Sequence, residues 1–568
     1  MRVLGIHDGH NASVCLIEDG QIKFAIQEER LVNEKNKSGF PLNSLKRMLS
    51  YLKLTVDDID IVAVASSHNS PEFATGEYFK KHHKSDLRRK TEALVMKTPL
   101  YSHYKKKIKD KRIDRLVQLG FSKDKINFID HHLCHAATAY FGSHFQRNEK
   151  ILVLTNDGAG DGLCATVSIA ENSQLKRIAE VKSTDSLAGI YCLTTKMLGF
   201  KPLEHEYKLM GMAPYTSEYG KEQGYKIFKD LIKISGSNPL VFERTTSEPI
   251  SLIMPKLLER SKYVRFDNIC AGLQAFTENI LVEWVNNCIK HTGIKTVALA
   301  GGIFMNVKAN KKIMEIEEVE DLFVFPSCGD ETVAIGAAYL VYSQQLGVIP
   351  LKPLDHFYLG DDFTDHEVLQ ELKNRKPEFN FSYEKSAEIE PVIAKLLAEK
   401  KVVACCRGRM EFGARALGNR SILADPSNQD CVREINMMVK KRDFWMPFAP
   451  VMIKEKANEY IKNKKNIKSP YMILSFDSTS KFKEFISAVH QADLTARPQI
   501  IEEKMNPSYY KILKEFYSLT GRGVILNTSF NLHGLPIVHG PKEAMDVFKN
   551  SDLKYLVLGN YLVKKEQL

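Results

Sequence analysis

The stretch "DHHLCHAATAY", Asp130 to Tyr140, sets His131 and His135 four residues apart, with His132 between them. On a helix, positions four apart share a face while the next residue points elsewhere, so His131 and His135 converge and His132 diverges. Two imidazoles on adjacent turns can hold one transition metal and leave positions open for further ligands. Histidines at this spacing also occur without a metal, so the reading depends on acidic partners elsewhere. Asp157 in "NDGAGDG" and Asp330 in "CGDE" follow apolar strands, and each could complete a two-histidine, two-carboxylate set. Mixed nitrogen and oxygen ligation of that kind suits Fe(II), Mn(II) or Zn(II). A loop cap, or a contact to magnesium through water, is the alternative for either aspartate.

Two further loops share the pattern of an apolar strand that breaks into glycine: "HDGHNAS", His7 to Ser13, and "AGGIFMNVKAN", Ala300 to Asn310. Glycine lets backbone N–H groups approach a phosphate, and a following helix N-terminus adds favourable potential. Each loop alone resembles an ordinary strand-to-helix turn. In order they read hairpin, acidic glycine loop, Gly-Gly loop, acidic loop before a helix, and that order resembles the actin-like ATPases. Further along, "RGRMEFGARALGNRSILADP" holds Arg407, Arg409, Arg415 and Arg420 among glycines and small residues. "VKKRDFWMPFAPVM" adds Lys440, Lys441 and Arg442, and "LNTSFNLHGLP" adds Asn527, Ser529 and Asn531 at a strand end. Arginine forks and lysines suit a phosphate, and Ser/Asn groups can read a small amide beside it.

The elements that must position these groups follow from periodicity. "RVLGIHDG", "ASVCLIED" and "IKFAIQEER" read as strands, with a turn at Asp19-Gly20. "KILVLTND", "KTVALAGG" and "DLFVFPSCGDE" repeat the strand-to-loop arrangement, the last running into an alanine-rich helix. Such alternation indicates an α/β architecture with ligands at strand ends. The pattern lapses near "LGVIPLKPLDHFYLGDDFTDHE", and a second α/β unit begins after about residue 365, with strands at "KKVVACCRG" and "GVILNTSFN". At 568 residues the chain exceeds a single core, so two or three domains are expected. No apolar run reaches membrane-spanning length, and the opening residues lack a signal-peptide pattern. Ten cysteines without a CxxC pair suggest reduced thiols and a cytoplasmic protein. The net charge of +11 is concentrated: residues 80–115 carry fourteen Lys/Arg against four Asp/Glu. Such a run reads as a solvated helical face before it reads as a binding arm. Nucleic acid is therefore not an expected partner.

The ordered motifs "GHNAS", "EER", "DHHLCHAATAY", "NDGAGDG", "KLMGMAPY", "AGGIFMN", "GRMEFGARALGNRSILADP", "PFAP" and "NTSFN" are similar to the NodU/CmcH carbamoyltransferase family over nearly the whole chain. The resemblance implies an N-terminal ASKHA (actin-like ATPase) domain over residues 1–355, akin to tRNA threonylcarbamoyl-transfer proteins, and a C-terminal YrdC-like domain over 356–568. The C-terminal domain would convert ATP and carbamoyl phosphate to carbamoyl-adenylate. The N-terminal domain would pass the carbamoyl group to a hydroxyl of a small acceptor such as an antibiotic, a glycoside or another secondary metabolite. Position by position, the resemblance puts a metal, iron, on His131, His135, Asp157 and Asp330, with magnesium open as a companion. It puts Gly301, Gly302, Asn306 and Asn310 on the adenosine side, and Arg415, Lys440, Asn527 and Ser529 on the carbamoyl-phosphate side. Arg415, Lys440 and Ser529 become catalytic candidates, and His10 a candidate general base. The family's "GPRALG" is "GARALG" here, with Ala414 for proline, and the arginine of its "FRPFAP" is Met446, a loss for which Arg407 is the available substitute. A sugar kinase, a nucleotide-switched binding protein and an RNA-modifying enzyme remain the alternatives. The acceptor and the oligomeric state, a homodimer included, stay open.

Overall fold

The computed structural model describes residues 1–67, 99–346, 351–440 and 443–566; residues 80–98 of the basic segment, Lys441 and Arg442 lie outside the described residues. The opening alternation forms a meander of β1 (Arg2–His7), β2 (Ser13–Glu18) and β3 (Gln21–Gln27). Asp19 and Gly20 both take positive φ, 53° and 72°, the backbone of a two-residue turn whose twist matches the strands it joins. The third strand is shorter than expected. It stops at Gln27, and "EER" belongs to a short helix, Glu28–Val32. The reason is the Glu28 carboxylate, which accepts from the backbone N–H groups of Asn43 and Ser44 and so caps the Leu42–Leu52 helix.

β4 (Ile61–Ala65) and β5 (Ile126–Ile129) extend this sheet in parallel, giving the order β3-β2-β1-β4-β5. β6 (Ile151–Gly160), β7 (Leu163–Glu171) and β8 (Gln174–Lys182) form a second antiparallel meander. A short hairpin of β9 (Ile232–Ile234) and β10 (Phe242–Arg244) follows. β11 (Thr296–Ala300) and β12 (Asp321–Val324) then add in parallel to β6, in the order β12-β11-β6-β7-β8. The second sheet therefore repeats the strand order and orientations of the first.

A third sheet, of eight strands, is built from β13 (Phe381–Lys385), β14 (Val403–Cys406), β15 (Arg420–Ala424), β16 (Ala449–Ile453), β19 (Gln499–Ile501), β20 (Val524–Ser529), β21 (Tyr555–Leu558) and β22 (Tyr561–Lys565). It is mixed: β14 with β21 and β16 with β19 run parallel, and the remaining pairs antiparallel. β17 (Phe476–Asp477) and β18 (Thr495–Ala496) make a separate two-stranded ribbon. The chain is α/β with mixed sheets. All ten cysteines are free, nine of them buried. Among the described residues, no helix is long and apolar enough to cross a membrane.

Two helices between the first two sheets carry the chemistry. The His131–Gly142 helix starts at Asp130, whose side chain accepts from Leu133 N at 2.8 Å. The Val333–Leu346 helix follows a single 3-10 turn at Asp330–Thr332. They cross where Gly336 lies against the Cys134 carbonyl, and a Cβ on Gly336 would stand 1.9 Å from that oxygen. Cys134 sits between His131 and His135, so this glycine sets how near Asp330 comes to both histidines. Gly336→Ala is expected to push the helices apart and destabilise the fold by about 2 kcal/mol or more, since backbone has no rotamer with which to yield. Denaturant titration checks this; a variant as stable as the wild type contradicts the close approach.

Candidate functional site

The four residues singled out at the start of the sequence reading converge. His131, His135, Asp157 and Asp330 each offer one ligand atom, and these atoms lie within 4.8 Å of one another. His131 Nε2 is 3.3 Å from Asp157 Oδ2 and 3.5 Å from Asp330 Oδ1, and His135 Nε2 is 3.6 Å from Asp330 Oδ1. Both ring nitrogens of His135 and Oδ1 of Asp330 are buried and find no hydrogen-bond partner among the described residues. Buried polar atoms are costly when unsatisfied. Four converging donors that include such orphans fit a transition metal of the two-histidine, two-carboxylate type. His132 turns away, as its position on the helix requires, and its Nδ1 lies 2.8 Å from Thr155 Oγ1.

The electrostatics of the cluster show what a cation would relieve. Burial disfavours the His131 imidazolium, but Asp330 and Asp157 outweigh it and raise the group to about 9. Burial and the His131 charge push His135 down to about 3. Burial would raise Asp157, but its hydrogen bond from His131 and the imidazole charges hold it below the usual carboxylate range. Asp330 is raised, by burial first and by Asp157 second. One proton on His131 thus does part of the work that a dication would do for all four groups.

The glycine loop of Ala300–Asn310 serves this cluster from behind. Gly301 takes φ of 107°, a Cβ there would stand 2.2 Å from Asn156 O, and Gly302 N donates to Asp157 Oδ1 at 2.9 Å. Asn306 caps the Val307–Met314 helix through Ala309 N and exchanges hydrogen bonds with Gln274. Asn310 is fully buried and donates to Phe304 O and to Ile473 O in the C-terminal part. These bonds tie the loop down, while Asn310 Oδ1 is buried without a hydrogen-bond partner among the described residues. His10 lies close enough to feel both aspartates. Burial lowers its pKa and Asp330 and Asp157 oppose, which leaves the neutral imidazole favoured.

A cleft of about 280 Å³ runs between the N-terminal and C-terminal parts. Arg415, Lys440, Asn527 and Ser529 all line it. Lys440 ends a single π-type turn, Asn436–Lys440, and its Nζ donates to Ser529 Oγ at 3.0 Å and to Asn531 Oδ1 at 2.6 Å. Asn527 Nδ2 donates to Ala416 O, and its Oδ1 is buried without a hydrogen-bond partner. The other arginines of the "RGRMEFGARALGNR" run do different work from the anion binding expected of them. Arg409 donates to the carbonyls of Gly360, Lys23 and Leu359, and Arg420 to those of His539, Arg407, Gly408 and Asn419. Arg407 does not replace the arginine lost at Met446: it pairs with Glu390 at 2.7 Å and is absent from the cleft lining, whereas Met446 is part of it.

Five basic residues of the cleft escaped the sequence reading of charge: Arg30, Lys35, Lys208, Lys308 and Arg497. Arg30 is buried and donates to Gly413 O at 2.5 Å, and Lys208 pairs with Asp443 at 3.0 Å. Arg30 and Lys208 lie within "EER" and "KLMGMAPY", so the signal was motif membership rather than local composition. Glu331 completes the cleft, pushed up to about 7 mainly by burial. It contacts Ser327 Oγ, which accepts from Ala414 N at 2.8 Å. Adjacent residues thus face two places: Asp330 the histidines, Glu331 the cleft.

Known proteins can now be set beside this geometry. The carbamoyltransferase N-terminus family model matches residues 2–339, and the carbamoyltransferase C-terminus model matches residues 394–565. The uncharacterized protein MJ1051 of Methanocaldococcus jannaschii is 32% identical over 99% of this chain and 99% of its own length. Nodulation protein NolNO of Sinorhizobium fredii is 31% identical over 98% of this chain and 79% of its own length. Full-length HypF in its phosphate- and nucleotide-bound form overlaps 61% of this chain and 56% of that chain, at 13% identity and a TM-score of 0.31, too slight a likeness to carry an argument. Matched through both parts, the chain belongs to the carbamoyltransferase family and is a carbamoyltransferase of the NodU kind.

Proposed function

We propose that this enzyme makes carbamoyl-adenylate from ATP, carbamoyl phosphate and water in a C-terminal, YrdC-like domain (356–568), releasing phosphate and pyrophosphate, and transfers the carbamoyl group to an acceptor hydroxyl in an N-terminal, actin-like domain (1–355), releasing AMP. The observation that carries the reading is the adjacency of Asp330 and Glu331, which joins the four-ligand cluster to the cleft lined by Arg415 and Lys440. The repeated strand order of the first two sheets supports the actin-like assignment. Membership of the carbamoyltransferase family favours this reading over the sugar-kinase and nucleotide-switch alternatives.

In this account Arg415 and Lys440 hold the phosphate, and charge-assisted donors of that kind are the strong ones. Asn527, with Oδ1 free of a hydrogen bond, accepts from the carbamoyl N–H group. Ser529, already in contact with Lys440, orients the transferring group. The cleft is walled from both sides, which shields the adenylate from hydrolysis on its short way to the N-terminal centre. His131, His135, Asp157 and Asp330 hold a divalent metal, iron in the family reading; when bound, it supplies a Lewis acid for the carbamoyl or phosphoryl oxygen. His10, kept neutral by burial, takes the proton of the acceptor hydroxyl. The acceptor is a small hydroxylated molecule such as an antibiotic or glycoside.

Three outcomes are expected. Purified protein binds about one divalent transition metal per chain. His135→Ala and His131→Ala lose it and His132→Ala keeps it, as metal analysis after dialysis reads out; equal retention in all three contradicts the site. Arg415→Ala slows carbamoyl-phosphate-dependent ATP cleavage by about a hundredfold or more, yet still transfers from supplied carbamoyl-adenylate, and Asp330→Ala does the reverse. Identical defects in both half-reactions would point to one shared centre instead. His10→Gln slows transfer by about a hundredfold and leaves adenylate formation intact, which single-turnover assays of each step separate.

A further inference from the structure

The Pro99–Gln118 helix carries the described part of the basic segment, and most of its lysines face water, among them Lys106, Lys107, Lys109 and Lys111. Arg112 is the exception to a solvated face. It is 6% exposed, and its guanidinium grips Asp8 in a fork, Nε to Oδ2 at 2.8 Å and Nη2 to Oδ1 at 2.6 Å. The same group donates to Ser66 O at 2.7 Å and to Ala65 O at 3.0 Å, and it lies 4.8 Å over the Phe128 ring. Only arginine has donors enough, in one plane, to serve a carboxylate and two carbonyls together.

What Arg112 holds leads to the four-ligand cluster by two routes. Ser66 follows β4 with φ of 66°, a left-handed conformation that costs a non-glycine residue energy and persists only where its surroundings enforce it. That conformation brings Ser66 Oγ to 2.8 Å from His131 Nδ1. The next residue, Ser67, donates through its backbone N to Asp161 Oδ2 at 2.8 Å, and the same oxygen accepts from His131 N at 2.9 Å. On the other side, Asp8 sits in the loop of His7 and His10, where His7 Nε2 lies 2.9 Å from the His10 carbonyl.

We infer that Arg112 is a positioning residue for the metal centre: it holds Ser66 in the backbone conformation that fixes His131 through Nδ1, and it ties the His10 loop to the same frame through Asp8. This rests on the reading of His131, His135, Asp157 and Asp330 as metal ligands. A contact at Nδ1 sets the tautomer and ring orientation that leave Nε2 facing Asp157 and Asp330. Losing such an outer contact typically costs tenfold to a hundredfold in metal affinity. The basic segment thereby gains one buried anchor whose task differs from that of its exposed lysines.

The test is a Co(II) titration of the full-length protein, followed by d–d absorption against a competing chelator, with Arg112→Gln, Arg112→Lys, Ser66→Ala and the Arg112→Gln/Ser66→Ala double variant. Arg112→Gln and Ser66→Ala should each weaken Co(II) binding by about tenfold to a hundredfold. The double variant should be no weaker than the worse single, because the Ser66–His131 contact lies downstream of Arg112 on the same path. Arg112→Lys should not restore affinity, and the metal-free thermal midpoint of Ser66→Ala should stay near that of the wild type. Wild-type affinity in Ser66→Ala, or in either folded Arg112 variant, overturns the inference, as do losses that multiply in the double variant. Should Arg112→Gln fail to fold, Ser66→Ala and Arg112→Lys still decide it. A wild-type protein that takes up no Co(II) overturns the ligand reading itself, and the inference with it, a result distinct from failure confined to the variants.

Discussion

Two carboxylates and two imidazoles cannot share a dry pocket unless positive charge is shared among them, and much of the N-terminal architecture answers to that constraint. Asp157 comes from β6 and Asp330 from the 3-10 turn after β12, and each on its own pays for burial. The His131–Gly142 helix brings the imidazoles between them, while Gly336 lets the helix that follows Asp330 come close enough. Gly302 N gives Asp157 one fixed donor, which leaves the other oxygen turned toward His131. The orphaned atoms of His135 and Asp330 mark what protein groups alone do not satisfy. The adjacency of Asp330 to Glu331 puts the cleft next to these atoms.

The C-terminal part divides its cations by task. Arg409 and Arg420 tie down backbone carbonyls, and Arg407 pairs with Glu390. Arg415 instead lines the cleft, together with Arg30 and Lys208 of the N-terminal part. Arg30 reaches Gly413 O, directly before Ala414 and Arg415, so the two parts hold the same loop from opposite sides. The bond from Ala414 N to Ser327 Oγ holds this loop as well.

How much of this could be read from the chain follows the range of each signal. The hairpin and the shared face of His131 and His135 are local patterns with a fixed geometric meaning, and they appear where expected, whereas β6 does not break at "NDG" but pairs with β7 as far as Gly160. The end of β3 was misjudged because the pull on Glu28 comes from a helix fifteen residues away. Arginines among glycines look alike whether they aim at a ligand or at a carbonyl, so Arg409 and Arg420 could not be told from Arg415. Asn306 and Asn310 sit in a loop whose pattern suits a nucleotide, and only tertiary contact shows that they also tie that loop to the fold, Asn306 to Gln274 and Asn310 to Ile473. Arg112 was hidden in a run of lysines, since only tertiary contact shows which cation of a basic helix turns inward.

On the proposed reading, His131, His135, Asp157 and Asp330 bind one metal next to a cleft where the carbamoyl donor is activated. Anomalous diffraction from crystals of the active enzyme, collected on both sides of the bound metal's absorption edge, tests it most directly. The account expects one strong anomalous peak about 2.0–2.2 Å from His131 Nε2, His135 Nε2 and an oxygen of each aspartate. A peak at any other set of residues, or full transfer activity from crystals with no anomalous peak, would contradict it.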